Sequence, residues 1–231
     1  MKNTTINSTE HTSLTHQTYR VLYNMIIQGD LEPGVKLKID SLRKDLGVGA
    51  SPVREALSLL TSDHLVERMD QRGFKVSELS AEGFSDLLKT RCWLEELALR
   101  ESIKANDDLW EEELIIAHHR LKRESRFLEN NMPNPDWEIR HKAFHMALLS
   151  ACGSNILIKM CDQLYDQNIR YRNAAKDVSY PKRDSASEHD QIVEYVIDNN
   201  VDAAVNELVS HYKTTGNYLA FNFNDEKVMN A

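Results

Sequence analysis

With 231 residues, 41% of them apolar and 28% charged, the chain has the composition of a globular protein long enough to bury two cores. No apolar run approaches bilayer length, and Met1-Lys2-Asn3-Thr4-Thr5 lacks the apolar stretch of a secretory signal, which points away from a membrane and predicts a cytoplasmic protein. The net charge of −8 argues against a uniformly basic nucleic-acid coat, but it is unevenly placed. Residues 1 to 80 carry about ten basic and about ten acidic side chains, so the excess of acid lies in the remainder. Cys92, Cys152 and Cys161 form no CxxC pair and read as small apolar residues of a reducing compartment.

Taken in order, residues 1–13 are polar and aperiodic and are expected to be a disordered leader. A first helix is predicted from Ser13 to Gln28, with Leu22, Met25 and Ile26 inward and Gly29 as its stop. Leu31-Glu32-Pro33-Gly34 makes a turn into an extended segment, Lys36 to Ile39. Asp40 can cap a short second helix, Ser41 to Leu46.

The stretch Leu46 to Leu57 then supplies a glycine-containing turn and a third helix. Ser51 can cap that helix, and Pro52 suits its first position because it has no N–H to leave unsatisfied. Val53, Ala56, Leu57 and Leu60 recur at i, i+3, i+4 and i+7, which leaves Ser51, Arg54, Ser58 and Ser62 on the opposite face. A small-residue and arginine face at the start of such a helix suits a major groove, and double-stranded DNA is the implied partner. Leu65 to Met69 and Phe74 to Val76 are strand-like runs around Asp70-Gln71-Arg72-Gly73, a hairpin with a basic tip. Helix, strand, helix, helix, hairpin is the order of a winged helix-turn-helix over residues 14–78.

Residues Thr18-Tyr19-Arg20 through Leu31-Glu32-Pro33-Gly34, Leu46-Gly47-Val48, Ser51-Pro52-Val53-Arg54-Glu55-Ala56-Leu57 and Leu65-Val66 through Arg72-Gly73-Phe74 resemble the winged helix of the GntR family of bacterial transcription regulators. That resemblance implies that Arg54 contacts DNA backbone or base edges and that Arg72 and Gly73 reach the minor groove through the wing; Ser51 and Pro52, at the start of the same helix, are expected to bind DNA beside Arg54. It also implies a homodimer on a near-palindromic operator. Gly49-Ala50 stands where the family usually has a Ser-Arg or Thr-Arg pair, so a different operator is expected.

From Ala81 to Asn222 every segment has helical periodicity: 81–104, 108–130, 137–151, 154–175, 185–199 and 201–222. The expected fold is therefore mainly α, a winged helix followed by an all-α bundle of about six helices, with polar breaks that include Val178-Ser179-Tyr180-Pro181 and a frayed tail over 223–231. Four histidines sit on apolar stripes of three helices. His141 and His145 are four residues apart on one helix, His189 precedes Ile192, Val193 and Val196, and His211 follows Ala204 and Leu208. Any one of them could be a hydrogen-bonded core residue. Together they can converge on a nitrogen-rich site for a divalent ion such as Zn²⁺ or Ni²⁺.

Arg91 with Leu94-Glu95, Phe144-His145, Gly153-Ser154-Asn155, Glu188-His189 and His211 resemble the all-helical effector domain of the FadR-like branch of that family, the FCD type. The resemblance implies metal ligation by His145, His189 and His211, with His141 where metal-binding members carry an Asp. A neutral fourth ligand raises the net charge of the site and favours an anionic effector, a small organic acid. The Arg-His-x-x-Phe-His pattern of Arg140 to His145 is shared with regulators of dicarboxylate and amino-acid catabolism. Arg91 can meet such an acid or pair with Glu95 instead, and Asn168, Tyr171 and Arg172 either face the cavity or form a solvated helix end.

A ligand-responsive regulator is the function expected, with a metal-responsive regulator lacking an organic effector as the alternative. A metalloenzyme fused to a DNA-binding module is the weaker third reading. His141-Lys142-Ala143-Phe144-His145 has the histidine spacing of a zinc hydrolase but no glutamate after the first histidine, and no catalytic set replaces it.

Overall fold

The computed structural model describes residues 13–70, 72–130, 132–175 and 184–229. It divides into two compact units, one of residues 1–80 with 169–174, the other of residues 81–168 with 175–231. The leader over 1–12 and the Val178–Pro181 loop expected from the sequence lie outside the described residues.

In the first unit, α1 (Leu14–Gln28) starts where the Ser13 side chain accepts from the His16 N–H and stops at Gly29, whose φ of 84° lies in the left-handed region. Strand β1 (Lys36–Leu37) precedes α2 (Ile39–Leu46) and α3 (Ala50–Ser62). Two caps differ from expectation. Lys38 is the N-cap of α2, and Asp40 sits in the first turn facing Arg43 at 3.4 Å rather than capping. Gly49, not Ser51, is the N-cap of α3, so Pro52 occupies the third helical position, where the missing N–H is still one that no carbonyl inside the helix would meet.

The periodicity of α3 is realised in full. Val53, Ala56, Leu57 and Leu60 are completely buried, with α1 packed against them, while Ser51, Arg54, Ser58 and Ser62 are exposed. Strands β2 (Val66–Met69) and β3 (Gly73–Val76) form an antiparallel hairpin with Met69 opposite Gly73, and β1 adds to the other edge of β3, giving the order β1-β3-β2.

Six further helices follow among the described residues, α4 (Ala81–Ala105), α5 (Asp108–Lys122), α6 (Pro135–Leu149), α7 (Asn155–Ala174), α8 (Ser185–Ile197) and α9 (Val201–Met229), all in the second unit except residues 169–174 at the end of α7, which group with the first. Helix α5 ends at Lys122 rather than near residue 130. The chain beyond folds back on itself, with Phe127 bridged to Pro133, Leu128 N–H donating to the Met132 carbonyl and the Asn134 amide donating to the Ser125 carbonyl. Helix α6 begins two residues earlier than expected because the Asn134 side chain accepts from the Asp136 N–H and Pro135 supplies a preset φ. Helix α9 continues to Met229 instead of fraying after Asn222.

Helix α4 packs along α9, α8 along α9 and α5 along α6. Their shared core runs from Leu99 and Leu114 through Phe144, Leu148 and Ile192 to Leu208, and Cys92 and Cys161 are buried in it as small apolar residues. Burial pushes the Cys161 thiol up to about 12, so it stays protonated and inert. No helix among the described residues is long and apolar enough to cross a membrane.

Candidate functional site

The core of the second unit holds a cluster of polar side chains. His141, His145, His189 and His211 are all buried, and one ring nitrogen from each lies within 4.8 Å of the others. Helix α6 brings the first two because i and i+4 share a face, and their Nε2 atoms stand 3.1 Å apart with the rings nearly perpendicular. Helices α8 and α9 bring the other two, with ring centroids 4.7 Å apart. All four sequence-derived candidates therefore converge.

What the sequence did not reveal is the set of groups behind the imidazoles. Tyr165 of α7 contacts His141 Nδ1 at 2.6 Å and donates its hydroxyl proton to Glu138 Oε1 at 2.9 Å. Tyr212 of α9 contacts His145 Nδ1 at 2.9 Å and donates to Glu95 Oε2. Glu188 of α8 accepts directly from His211 Nδ1 at 2.8 Å. Each chain ends on a carboxylate, so each hydroxyl proton goes outward and each Nδ1 carries the proton that the outer group accepts. The tautomer assigned from these chains puts the proton on Nδ1 and leaves Nε2 of His141, His145 and His211 as lone pairs, whereas a hydrogen bond across the 3.1 Å Nε2 contact would need a proton on one of that pair.

The electrostatics agree. Burial, then the neighbouring imidazoles and Arg91, hold the His145 pKa well below its ordinary value, so the ring is neutral. Burial and the Glu95 carboxylate hold the Tyr212 hydroxyl well above its ordinary range, which keeps its proton available for donation.

Arg91 of α4 is buried beside this network. Its Nε donates to Glu95 Oε1 at 2.5 Å, and its guanidinium lies 4.0 Å from the Tyr212 ring centre and 4.9 Å from that of Tyr165. Burial opposes the charge, but the Glu95 carboxylate outweighs it and raises the pKa above the ordinary value. The pairing with Glu95 weighed in the sequence is thus present, yet the Arg91 Nη2 is buried with no hydrogen-bond partner. Asn168 and Tyr171 are buried rather than solvated, and Arg172 is half-buried. Tyr171 and Arg172 fall in the stretch 169–174 that groups with the first unit, not with the histidines. His118 instead stands 2.9 Å from Asp190 and lies against Phe144, outside the cluster.

On the first unit, the exposed Arg54, Ser51 and Ser58 share the outer face of α3, with Pro52 half-buried in its first turn. At the wing, the Arg72 N–H donates to the Met69 carbonyl at 3.1 Å, and Gly73 takes a φ of 92°, a conformation that a side chain would strain. Arg72 itself is exposed, and Gln71 lies outside the described residues.

A polypeptide arranged in this way, with a helix-turn-helix and wing followed by a separate all-helical unit, falls in the class of DNA-binding transcription regulators. Residues 14–76 match the family described as bacterial regulatory proteins, gntR family, and residues 86–214 match the FCD domain. The chain is 33% identical over 154 residues to the HTH-type transcriptional repressor GlaR of Escherichia coli (strain K12), spanning 67% of this chain and 70% of that one. It is 37% identical over 182 residues to the uncharacterized HTH-type transcriptional regulator BphR of Paraburkholderia xenovorans (strain LB400), spanning 77% and 73%. The solved structure of E. coli McbR/YncC shares the fold with a TM-score of 0.75 at 20% identity, over 92% of this chain and 99% of that one. The chain belongs to the GntR family of bacterial DNA-binding transcription regulators and carries an FCD effector-binding domain, and its relatives are named as regulators rather than enzymes.

Proposed function

We propose that the helical unit holds a divalent metal ion, Zn²⁺ or Ni²⁺, through His141, His145, His189 and His211, and that ion and Arg91 together bind a small carboxylate effector that alters operator binding by a homodimer in the cytoplasm. The observation that carries the reading is the facing pair of Nε2 atoms at 3.1 Å. The Tyr165–Glu138 and Tyr212–Glu95 chains direct both protons to Nδ1, so two lone pairs would confront each other in a buried site unless a cation stood between them.

The spacing suits such an ion. Nitrogen ligands at about 2.1 Å lie about 3.4 Å apart around a tetrahedral ion and about 3.0 to 4.2 Å apart around an octahedral one, so ligand atoms that lie within 4.8 Å of one another would draw in by about 0.6 to 1.4 Å at the widest pair. When bound, the ion supplies positive charge and an open position for an anionic oxygen. Arg91 brings the buried, unused Nη2 donors that a carboxylate would satisfy. In the DNA-binding unit, Arg54 and Ser51 face the major groove with Pro52 in the first turn of the same helix, and Arg72 and Gly73 enter the minor groove.

One observation favours the metal-only alternative: Arg91 already has an internal carboxylate in Glu95. Metal analysis combined with thermal unfolding separates the two. For an organic-acid sensor, dicarboxylates raise Tm in the metal-loaded protein and not in the chelated one. If metal alone shifts Tm and operator affinity while no carboxylate adds to either, the effector half of the proposal is wrong. Absence of stoichiometric metal overturns both halves.

A further inference from the structure

The Trp137 indole lies flat against the His141 imidazole, with ring centroids 4.4 Å apart and planes inclined by 16°. We propose that Trp137 is a positioning residue of the metal pocket, holding the plane of the His141 ring so that its Nε2 points at the ion; the inference rests on the metal reading above.

The argument is geometric. The hydrogen bond to Tyr165 pins His141 at one atom, Nδ1, at 2.6 Å. A ring tethered through Cγ and held at Nδ1 still tilts by coupled rotation about χ1 and χ2, and that tilt swings Nε2 away from His145 Nε2. A flat contact on the ring face removes the tilt, so the bond and the stack together fix what neither fixes alone. An indole is well suited to the task because its electron-rich face gains attraction when the imidazole becomes electron-poor on binding a cation.

Trp137 is itself held in place, although it sits in the first turn of α6, where helices are weakest. The Asn134 side chain caps that turn, the Asn134 N–H donates to the Arg126 carbonyl at 3.0 Å, and the Asn134 amide donates to the Ser125 carbonyl at 2.8 Å. The Arg126 guanidinium lies 5.3 Å from the Trp137 ring centre. Ser125, Arg126 and Asn134 thus buttress the indole, and through it the ligand.

The test uses the full chain with Ni²⁺ as the probe. Affinity is read by competition with a chromophoric chelator for wild type, Trp137→Phe, Trp137→Leu and, as a benchmark, His141→Ala. Trp137→Leu should weaken Ni²⁺ binding by about 10- to 100-fold, the range of outer-shell losses, while Trp137→Phe, which keeps a flat face, restores most of it. The Trp137 emission should be quenched by one equivalent of Ni²⁺, a response lost in Trp137→Phe but kept in Trp93→Phe. Circular dichroism and the metal-free Tm show whether each variant is folded; should Trp137→Leu not fold, the Trp137→Phe affinity and quenching decide. Wild-type affinity in folded Trp137→Leu, or undiminished quenching in Trp137→Phe, overturns the role of Trp137 and leaves the metal site intact. A wild-type protein that does not bind Ni²⁺ or Zn²⁺ overturns the site and this inference together.

Discussion

The two units carry their proposed working groups in opposite places. In the winged-helix unit the core around Leu22, Val53, Leu57 and Leu60 is apolar, and Arg54 and Arg72 stand outside it in water. In the helical unit the proposed working groups are in the core: His145 and Glu95 are fully buried, with Arg91, His189 and His211 nearly so. A surface that meets a polyanion needs only a rigid scaffold beneath it, because DNA supplies the partner charges. A pocket for a small ligand must remove that ligand from water, so it bears the desolvation of its own polar groups in advance and offsets it with hydrogen-bond chains such as His145–Tyr212–Glu95. Truncating a proposed functional side chain should therefore disturb stability little in the first unit and more in the second, whose polar groups are buried.

The largest effect that would test this contrast is His189→Ala. Removing one of four ligands should lower metal affinity by more than the roughly 100-fold typical of an outer-shell loss, measured by chelator competition, with operator binding by the metal-free protein unchanged. A variant that loses both properties would dissolve the division into two functions. Next in size, Arg54→Ala should cost about 1 to 3 kcal/mol of specific operator affinity in mobility-shift titrations at fixed salt, with Tm and metal content as in wild type. A fall in Tm of several degrees would place Arg54 in the scaffold instead.

The smallest effect concerns pH. The native metal-free protein keeps His145 neutral to well below the ordinary value of 6.5, whereas the unfolded chain takes up that proton near 6.5. The unfolded state then binds more protons, so the His145 contribution to stability is fully present above that pH and is lost as pH falls below it. The loss is at most about 1.4 kcal/mol per pH unit. Denaturant unfolding of chelated protein between pH 7 and pH 5 measures the slope, and comparison with a His145→Gln variant isolates this residue. An unchanged slope in that variant would show that His145 is not the group responsible.

Much of this was readable from residue spacing. The i, i+3, i+4, i+7 stripe of α3 correctly assigned its buried and exposed faces, the six helical segments of the second unit were each found, and the inward direction of all four histidines followed from their stripes. Helix starts were less legible. Ser51 and Asp40 are good caps by residue type, but Gly49 and Lys38 hold the extended backbone at those points and the helices begin before the better side chains arrive.

Periodicity is a property of one helix, and it determined by itself which side of each helix faces inward and hence that the imidazoles enter the bundle. It could not determine what stands behind them. Tyr165 lies 24 residues from His141 and Tyr212 lies 67 residues from His145, on helices whose rotation and depth come from packing alone. Only the tertiary structure decided that these hydroxyls end on Glu138 and Glu95, that Arg91 lies against two tyrosine rings, and that Trp137 covers one face of His141. Short-range order follows from local spacing. Proton placement and ring orientation depend on distances between elements, which no local pattern encodes.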